Sequence, residues 1–269
     1  MNILYLIFSG LITYFIMPYI IQMLLKAGAV QTNYANKQIP SAIGIALVPV
    51  MLVNFILFLI LNQYSHFTFV VFILAITVMT LVGAIDDFLG NKNISGLKGH
   101  LKSFWNGKIT TGFLKAFIGG LLSCIISMIF SNSIKHFIVN VPLIALCTNF
   151  LNLMDLRPGR AIKGFLALSA IYIKTGINEI DQIIFFCIIG FCISCIPYDL
   201  QQKGMLGDAG SNSLGVSLGI GAAISFSIGI KCILLLILIL VHLLAEKYSL
   251  SKIIENNSIL NYIDQIGRY

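Results

Sequence analysis

Apolar runs close to the roughly 20 residues that cross a bilayer follow one another along nearly the whole chain. A water-soluble fold of 269 residues has too little interior to hide them all. Nine runs can be delimited, at roughly 2–25, 41–62, 67–85, 112–131, 137–154, 164–177, 182–197, 211–229 and 231–245, the sixth and seventh being the shortest of the nine. Hydrophobic residues make up 58% of the chain and charged residues 10%, against about 25% charged in soluble domains. The expected fold class is therefore all-α: a polytopic integral membrane helical bundle of about nine transmembrane helices. We expect one transmembrane domain over 1–269 with a short cytoplasmic tail at about 246–269, and we find no linker, low-complexity tract or internal repeat.

The first run lacks a charged n-region and a small-residue cleavage site, so it is expected to be a span and not a signal peptide. Placing the N-terminus outside puts 14 of the 17 lysines and arginines on the cytoplasmic side, leaving Lys135, Lys174 and Lys231 outside. The same assignment makes the C-terminus cytoplasmic. The net charge of +7 is then mostly a property of the cytoplasmic face, where it meets anionic headgroups. Nucleic acid is not an expected partner, because the basic residues are scattered over short loops with few aromatics between them.

All six cysteines fall in the predicted spans, and Cys192 and Cys195 are read as small packing residues. His66 and His136 are expected to be solvated outside, and His242 to be a polar packing group. His100 lies between Lys98 and Lys102 and is a candidate phosphate contact. Phe104 and Trp105 suit an interfacial anchor. After residue 246 a surface helix is expected, with Ile253, Ile254, Leu260 and Ile263 towards the membrane.

The chain has only ten acidic residues, and Asp86, Asp87, Asp155, Asp199 and Asp208 each lie within a few residues of a span's cytoplasmic end. Carboxylates so near hydrocarbon are costly unless they are paired, metal-bound or facing a wet cavity. One such residue is unremarkable beside a lysine; five point to a site. Oxygen ligands converging from several helix ends would suit Mg²⁺, which uses one or two carboxylates together with waters and substrate phosphates. The stretch "KGMLGDAGSNSLG" (203–215) adds glycines around Asp208 just before a helix begins, where backbone amides can hold phosphate oxygens.

Four segments, in order, resemble those of the polyprenyl-phosphate N-acetylhexosamine-1-phosphate transferases (glycosyltransferase family 4). "NYANKQIPSAIG" is similar to that family's early proline-small-glycine segment. "GAIDDFLG" resembles its aspartate pair, and "ISGLKGHLK" places Lys102 at its downstream lysine. "NFLNLMD" matches an Asn-x-x-Asn-Leu-x-Asp element at Asn149, Asn152 and Asp155, and "MLGDAGSNSLG" matches a Met-Gly-Asp-x-Gly-Ser loop at Gly207, Asp208, Gly210 and Ser211. The resemblance implies transfer of a sugar-1-phosphate from a UDP-linked amino sugar to undecaprenyl phosphate. It further implies Mg²⁺ or Mn²⁺ on Asp208, catalytic roles for Asp86, Asp87, Lys102 and Asp208, and a homodimer in a bacterial cytoplasmic membrane. One of the paired aspartates could deprotonate the lipid phosphate, or the phosphate could attack unaided.

The chain departs from that pattern after Asp155, where "DLRPGRAIKG" has Pro158 at the place of a second aspartate and brings in Arg157, Arg160 and Lys163. Met205 stands where the family has an aromatic residue, Asp199 stands near a usual asparagine, and the C-terminal part lacks a histidine-rich loop. Two readings follow. In the first, Arg157, Arg160 and Lys163 form a rebuilt phosphate clamp, because arginine grips phosphate bidentately. In the second, the chain keeps the lipid-phosphate half of the site and binds or regulates undecaprenyl-phosphate lipids without catalysis. A proton-coupled transporter is a third and weaker class, since the carboxylates gather at one face and not at mid-membrane.

Overall fold

A computed structural model describes residues 2–62, 65–90, 99 and 103–268. Lys92, Lys98, His100 and Lys102 lie outside the described residues. Seven helical segments are long and apolar enough to cross a membrane. They are α1 (Asn2–Lys26), the segment Ile43–Leu61 made of a 3₁₀ turn (Ile43–Ala46) leading into α2 (Leu47–Leu61), α3 (Phe67–Leu89), α4 (Thr111–Phe130), α5 (Ile134–Met154), α7 (Glu179–Leu200) and α9 (Ile228–Lys247). Between them come α6 (Arg160–Lys174) and α8 (Gly207–Ser225), with α10 (Leu250–Asn256) and α11 (Ser258–Gln265) closing the chain. The fold is a multi-pass helical bundle, and the short seventh run of the sequence is the core of a 22-residue helix.

Helix α8 differs from the seven. Its sequence, GDAGSNSLGVSLGIGAAIS, is too rich in glycine and serine to count as strongly apolar, yet every residue from Ala209 to Ala223 is buried. Small side chains let neighbouring backbones approach, and this is how membrane helices pack when lipid offers no hydrophobic drive. It sits at the centre of the bundle against α3, α5 and the 3₁₀ turn, while α1 packs on α7. At Gly44 a Cβ would lie 2.2 Å from the Gly210 Cα, and at Gly83 one would lie 2.4 Å from the Asp208 carbonyl oxygen. Both positions therefore exclude any side chain, and they bring two separate elements, the 3₁₀ turn and α3, onto the start of α8.

A feature not foreseen from the sequence precedes the second span: a hairpin of β1 (Val30–Thr32) and β2 (Gln38–Pro40), antiparallel with Val30 opposite Pro40. Asn33 builds its turn, its Oδ1 accepting from the amides of Ala35 and Lys37 at 2.9 Å each. The chain beyond β2 then pairs with the loop before α8. Met205 N donates to Pro40 O (2.8 Å), Ile43 N to Met205 O (3.0 Å) and Gly44 N to Leu206 O (3.1 Å). The proline-small-glycine segment is thus the scaffold on which the Gly-Asp loop is mounted.

Outward side chains on α1 and α9, such as Tyr19, Ile60 on α2, Ile233 and Leu236, are exposed as a lipid-facing surface would be. The six cysteines are all unpaired, with Cys192 and Cys195 wholly buried in α7. Trp105 is exposed, as an interfacial anchor would be. His136 departs from expectation: it is half-buried, and its Nδ1 faces the Nζ of buried Lys231 (3.3 Å), which also donates to Ala223 O (2.5 Å).

Candidate functional site

Asp86 and Asp87 lie inside the last turn of α3, not beyond it. Because successive helical residues point about 100° apart, the two carboxylates do different things. Asp87 turns to the start of α8, where its Oδ1 accepts from Asp208 N and its Oδ2 from Ala209 N, both at 3.0 Å. Gln31 of β1 donates to the Asp87 carbonyl and ties the hairpin to the same point. Asp86 turns to α4, where Lys115 Nζ meets its Oδ2 at 2.7 Å and the Thr111 hydroxyl gives a further hydrogen bond.

The first amides of α8 would ordinarily be free to hold an anion. Here they are taken internally. The Leu206 amide faces Asp199, the Gly207 amide faces Asp155, and those of Asp208 and Ala209 cap on Asp87. Three carboxylates at one helix N-terminus also complement its dipole. The expectation that these amides hold phosphate oxygens is therefore corrected: the chain's own aspartates occupy them. Gly207 makes the arrangement reachable, with φ at +72° and a Cβ position only 2.6 Å from Asp87 Oδ2.

The Asp208 side chain points away from that cap, to Lys115. Asn152 completes the group. With its amide oriented to satisfy both ends, Nδ2 donates to Asp208 Oδ1 (2.7 Å) and Ser211 Oγ (3.2 Å), while Oδ1 accepts from Lys115 Nζ (3.3 Å). Helices α3, α4, α5 and α8 each supply part of the set. Asp155, at the C-terminal end of α5, is half-buried. Its enclosure by protein, reinforced by the charges of Asp199, Asp208 and Asp87, pushes its carboxyl well above the usual range. Asp199 accepts from Gly159 N at 2.7 Å and anchors the loop after Asp155.

Next to this cluster is a cavity of about 160 Å³ lined by Asp87, Asp155, Asp199, Asp208, Gly207 and Met205, and by Gln31, Asn33, Tyr34 and Arg157 at its mouth. The Arg157 guanidinium lies 4.8 Å from the centre of the Tyr34 ring and pairs with Glu255 at 3.3 Å.

Of the residues singled out in the sequence, Asp86, Asp87, Asn152, Asp155, Asp208 and Ser211 are brought together, with Gly207 and Gly210 shaping the backbone around them. Asn149 is exposed and does not line the cavity. Arg160 and Lys163 do not face it either. Arg160 is buried, with Nε on Asp264 Oδ1 (2.9 Å), Nη2 on Asp264 Oδ2 (2.7 Å) and Nη1 on Ser251 Oγ (3.0 Å). Lys163 Nζ binds the carbonyls of Ile263, Asp264 and Ile266 at 3.1, 2.9 and 2.6 Å. Both belong to the seat of the C-terminal tail, so the expected three-residue clamp is not formed, and of the three only Arg157 lines the cavity.

Lys115 was missed as a site residue, although a lysine one turn inside an apolar helix that begins TGFLK is the signal that intramembrane charge provides. Among the described residues no three acidic, histidine or cysteine side chains converge as a self-sufficient metal site. Asp86 and Asp208 do share one cation already, the Lys115 ammonium, with one oxygen of each. A two-carboxylate donor set fits Mg²⁺ or Mn²⁺, which would draw its remaining ligands from water and substrate. Searches against protein-family models and against curated proteins found no match.

Proposed function

We propose that the protein transfers a sugar-1-phosphate from a UDP-linked amino sugar to undecaprenyl phosphate at the cytoplasmic face of a bacterial membrane, with nine spans, the N-terminus outside and the C-terminus inside. The observation that carries this reading is the convergence of five carboxylates from α3, the end of α5, α7 and α8 at one end of an apolar bundle, with Asp86 and Asp208 on Lys115 and with Asp87, Asp155, Asp199 and Asp208 lining the adjoining cavity. Such charge density next to hydrocarbon is expensive, and bringing two phosphate-bearing substrates together is a task that requires it.

In this reading a phosphate oxygen of the lipid attacks the phosphorus that bears the sugar. The bond from that phosphorus to the bridging oxygen breaks, and UMP leaves with that oxygen. A divalent cation, when bound, would sit on Asp208 with Asp86 beside it and offset the repulsion between the two anions. Asp87 holds the Gly-Asp loop rather than acting on substrate, because both its oxygens accept backbone amides. Asn152 fixes the Asp208 carboxylate, and Arg157 at the cavity mouth offers a guanidinium to the nucleotide's diphosphate.

A second reading has its own support. With Arg160 and Lys163 committed to the tail, two of three expected nucleotide contacts are gone. A lipid-phosphate binder without catalysis would need only the acidic cluster and Lys115. An assay with purified protein, undecaprenyl phosphate, Mg²⁺ and a panel of UDP-sugars separates the two. Free UMP and lipid-linked sugar, lost with EDTA, establish the transferase; lipid-phosphate binding without product from any donor establishes the binder.

A further inference from the structure

We infer that Lys115 is a tethered cation that holds the shared place between Asp86 and Asp208 until a divalent ion and a phosphate arrive together, so that the two ligands bind cooperatively. The inference rests on the reading of this cluster as a divalent-cation and phosphate site, and it adds a role that neither the motifs nor that reading assigns.

The ammonium touches one oxygen of each carboxylate and the Asn152 Oδ1. A divalent ion needs those same two oxygens, and two cations cannot share them at contact distance. The ammonium must therefore leave for the ion to enter. The rest of the site is built to survive its departure. Asp86 keeps the Thr111 hydroxyl, and Asp208 keeps Asn152 Nδ2 at 2.7 Å. Lys115 is largely buried, with its side chain 16% exposed, so leaving without a new anionic partner would strand a charge in apolar surroundings. Its four-carbon stem, rooted in the first turns of α4, lets it swing to a phosphate oxygen instead. Each ligand thus removes the other's obstacle. By linkage the coupling is reciprocal: phosphate tightens the ion, and the ion tightens phosphate.

The test is Mn²⁺ binding followed by electron paramagnetic resonance on the full-length protein in detergent, with monomethyl phosphate as the anion. Wild-type protein should bind Mn²⁺ at least threefold more tightly when monomethyl phosphate is present, after correction for the complex the two form in buffer. Lys115→Met should bind Mn²⁺ at least tenfold more tightly than wild type without phosphate and should lose the coupling, whereas Lys115→Arg should stay near wild type. A Lys115→Met variant that binds no more tightly, or that retains the coupling, overturns the inference and leaves the site reading standing. Mn²⁺ binding that is absent from both proteins, or unchanged by Asp208→Asn, overturns the site reading and the inference with it. The wild-type arm needs no substitution, so an affinity indifferent to monomethyl phosphate is decisive even where a variant does not fold.

Discussion

Two buried charge clusters face the same end of the bundle, and they are built on opposite accounts. Among the described residues Lys115 pairs with Asp86 and Asp208, while Asp87, Asp155 and Asp199 lie beside them in no ion pair, so the cluster crowds together more carboxylates than its one ammonium answers. Around Asp264 one carboxylate meets two arginines. Arg160 takes both its oxygens, Arg268 joins on Oδ1 while its own Nε reaches Pro158 O at 3.0 Å, and Lys163 caps the last carbonyls of α11. The second cluster leaves no polar group of its carboxylate unanswered. Burial alone would raise the Asp264 pKa, but the hydrogen bonds and charges of Arg160 and Arg268 outweigh it and hold the carboxyl below its ordinary range. A saturated ion network specifies where a segment docks. An unsaturated one has capacity left for a ligand. The difference separates structure from site more cleanly than the residue types do, since both clusters consist of aspartates and basic groups.

The largest expected break in this comparison is Asp208→Asn. On the transferase reading it should lower UMP release by about 10³-fold with little change in melting temperature, because it removes an electrostatic contact from the proposed reacting centre while Lys115 keeps its pair with Asp86. Normal turnover in this variant would take Asp208 out of the site. Next comes Asp264→Asn, which leaves Arg160 buried with Arg268 beside it and should destabilise the fold by about 3 kcal/mol, read as a drop in melting temperature in detergent. The folded pKa of Asp264 lies below its unfolded value, so its stabilisation is present above about pH 4 and disappears as pH falls through the folded value. The penalty of the substitution should shrink over that acid range; a penalty independent of pH would sever it from the carboxylate's charge.

Asp155 supplies the opposite sign. Its folded pKa is raised, so the folded state holds a proton that the unfolded state releases above about pH 4, and stability falls as pH rises through that window. Asp155→Asn should therefore be more stable than wild type at pH 8 and indistinguishable from it below about pH 4, while losing activity. A variant less stable than wild type at pH 8 would contradict the crowding of carboxylates around Asp155. The smallest effect belongs to the cavity mouth. Arg157→Ala should raise KM for the nucleotide sugar by about three- to tenfold with kcat little changed, roughly 1 kcal/mol for a half-exposed charged contact. Its partner substitution Glu255→Ala should leave melting temperature nearly unmoved, since exposed ion pairs contribute about 0–1 kcal/mol.

Much of this was legible in the chain. The apolar runs gave the helices, because hydrocarbon tolerates only backbone that is hydrogen-bonded within its own segment. The glycines of the GDAG stretch marked close approach, and the structure places Gly210 against Gly44, which was not singled out for it. Asp86, Asp87, Asp155, Asp199 and Asp208 stood out because charge beside hydrocarbon is rare, and Asn152 through the resemblance of NFLNLMD to a family motif. What was not legible was partnership. Arg160 and Lys163 follow Asp155 within eight residues, and nearness in sequence suggested a common site. The tail, about 100 residues later, claimed both of them. Of the four tail residues expected towards the membrane, Ile253, Leu260 and Ile263 are exposed and Ile254 is half-buried, while the polar side that carries Asp264 was not anticipated.

The sequence by itself determined that the chain builds apolar helices and which residue types were too costly to be there without a reason, but not the number of spans: nine runs were delimited, and among the described residues seven helical segments are long and apolar enough to cross a membrane. What it determined follows from local composition and from the absence of water in the bilayer core. Only the tertiary structure decided which charges meet. Lys115 reaches Asp86 and Asp208 because α4 packs beside α3 and α8, and Asp87 caps α8 because Gly83 and Gly44 let three backbones touch. Whether a carboxylate is a cap, a counter-ion or a ligand depends on the few ångströms around its oxygens. Those distances are set by how helices far apart in the chain lie against one another, which no single segment encodes.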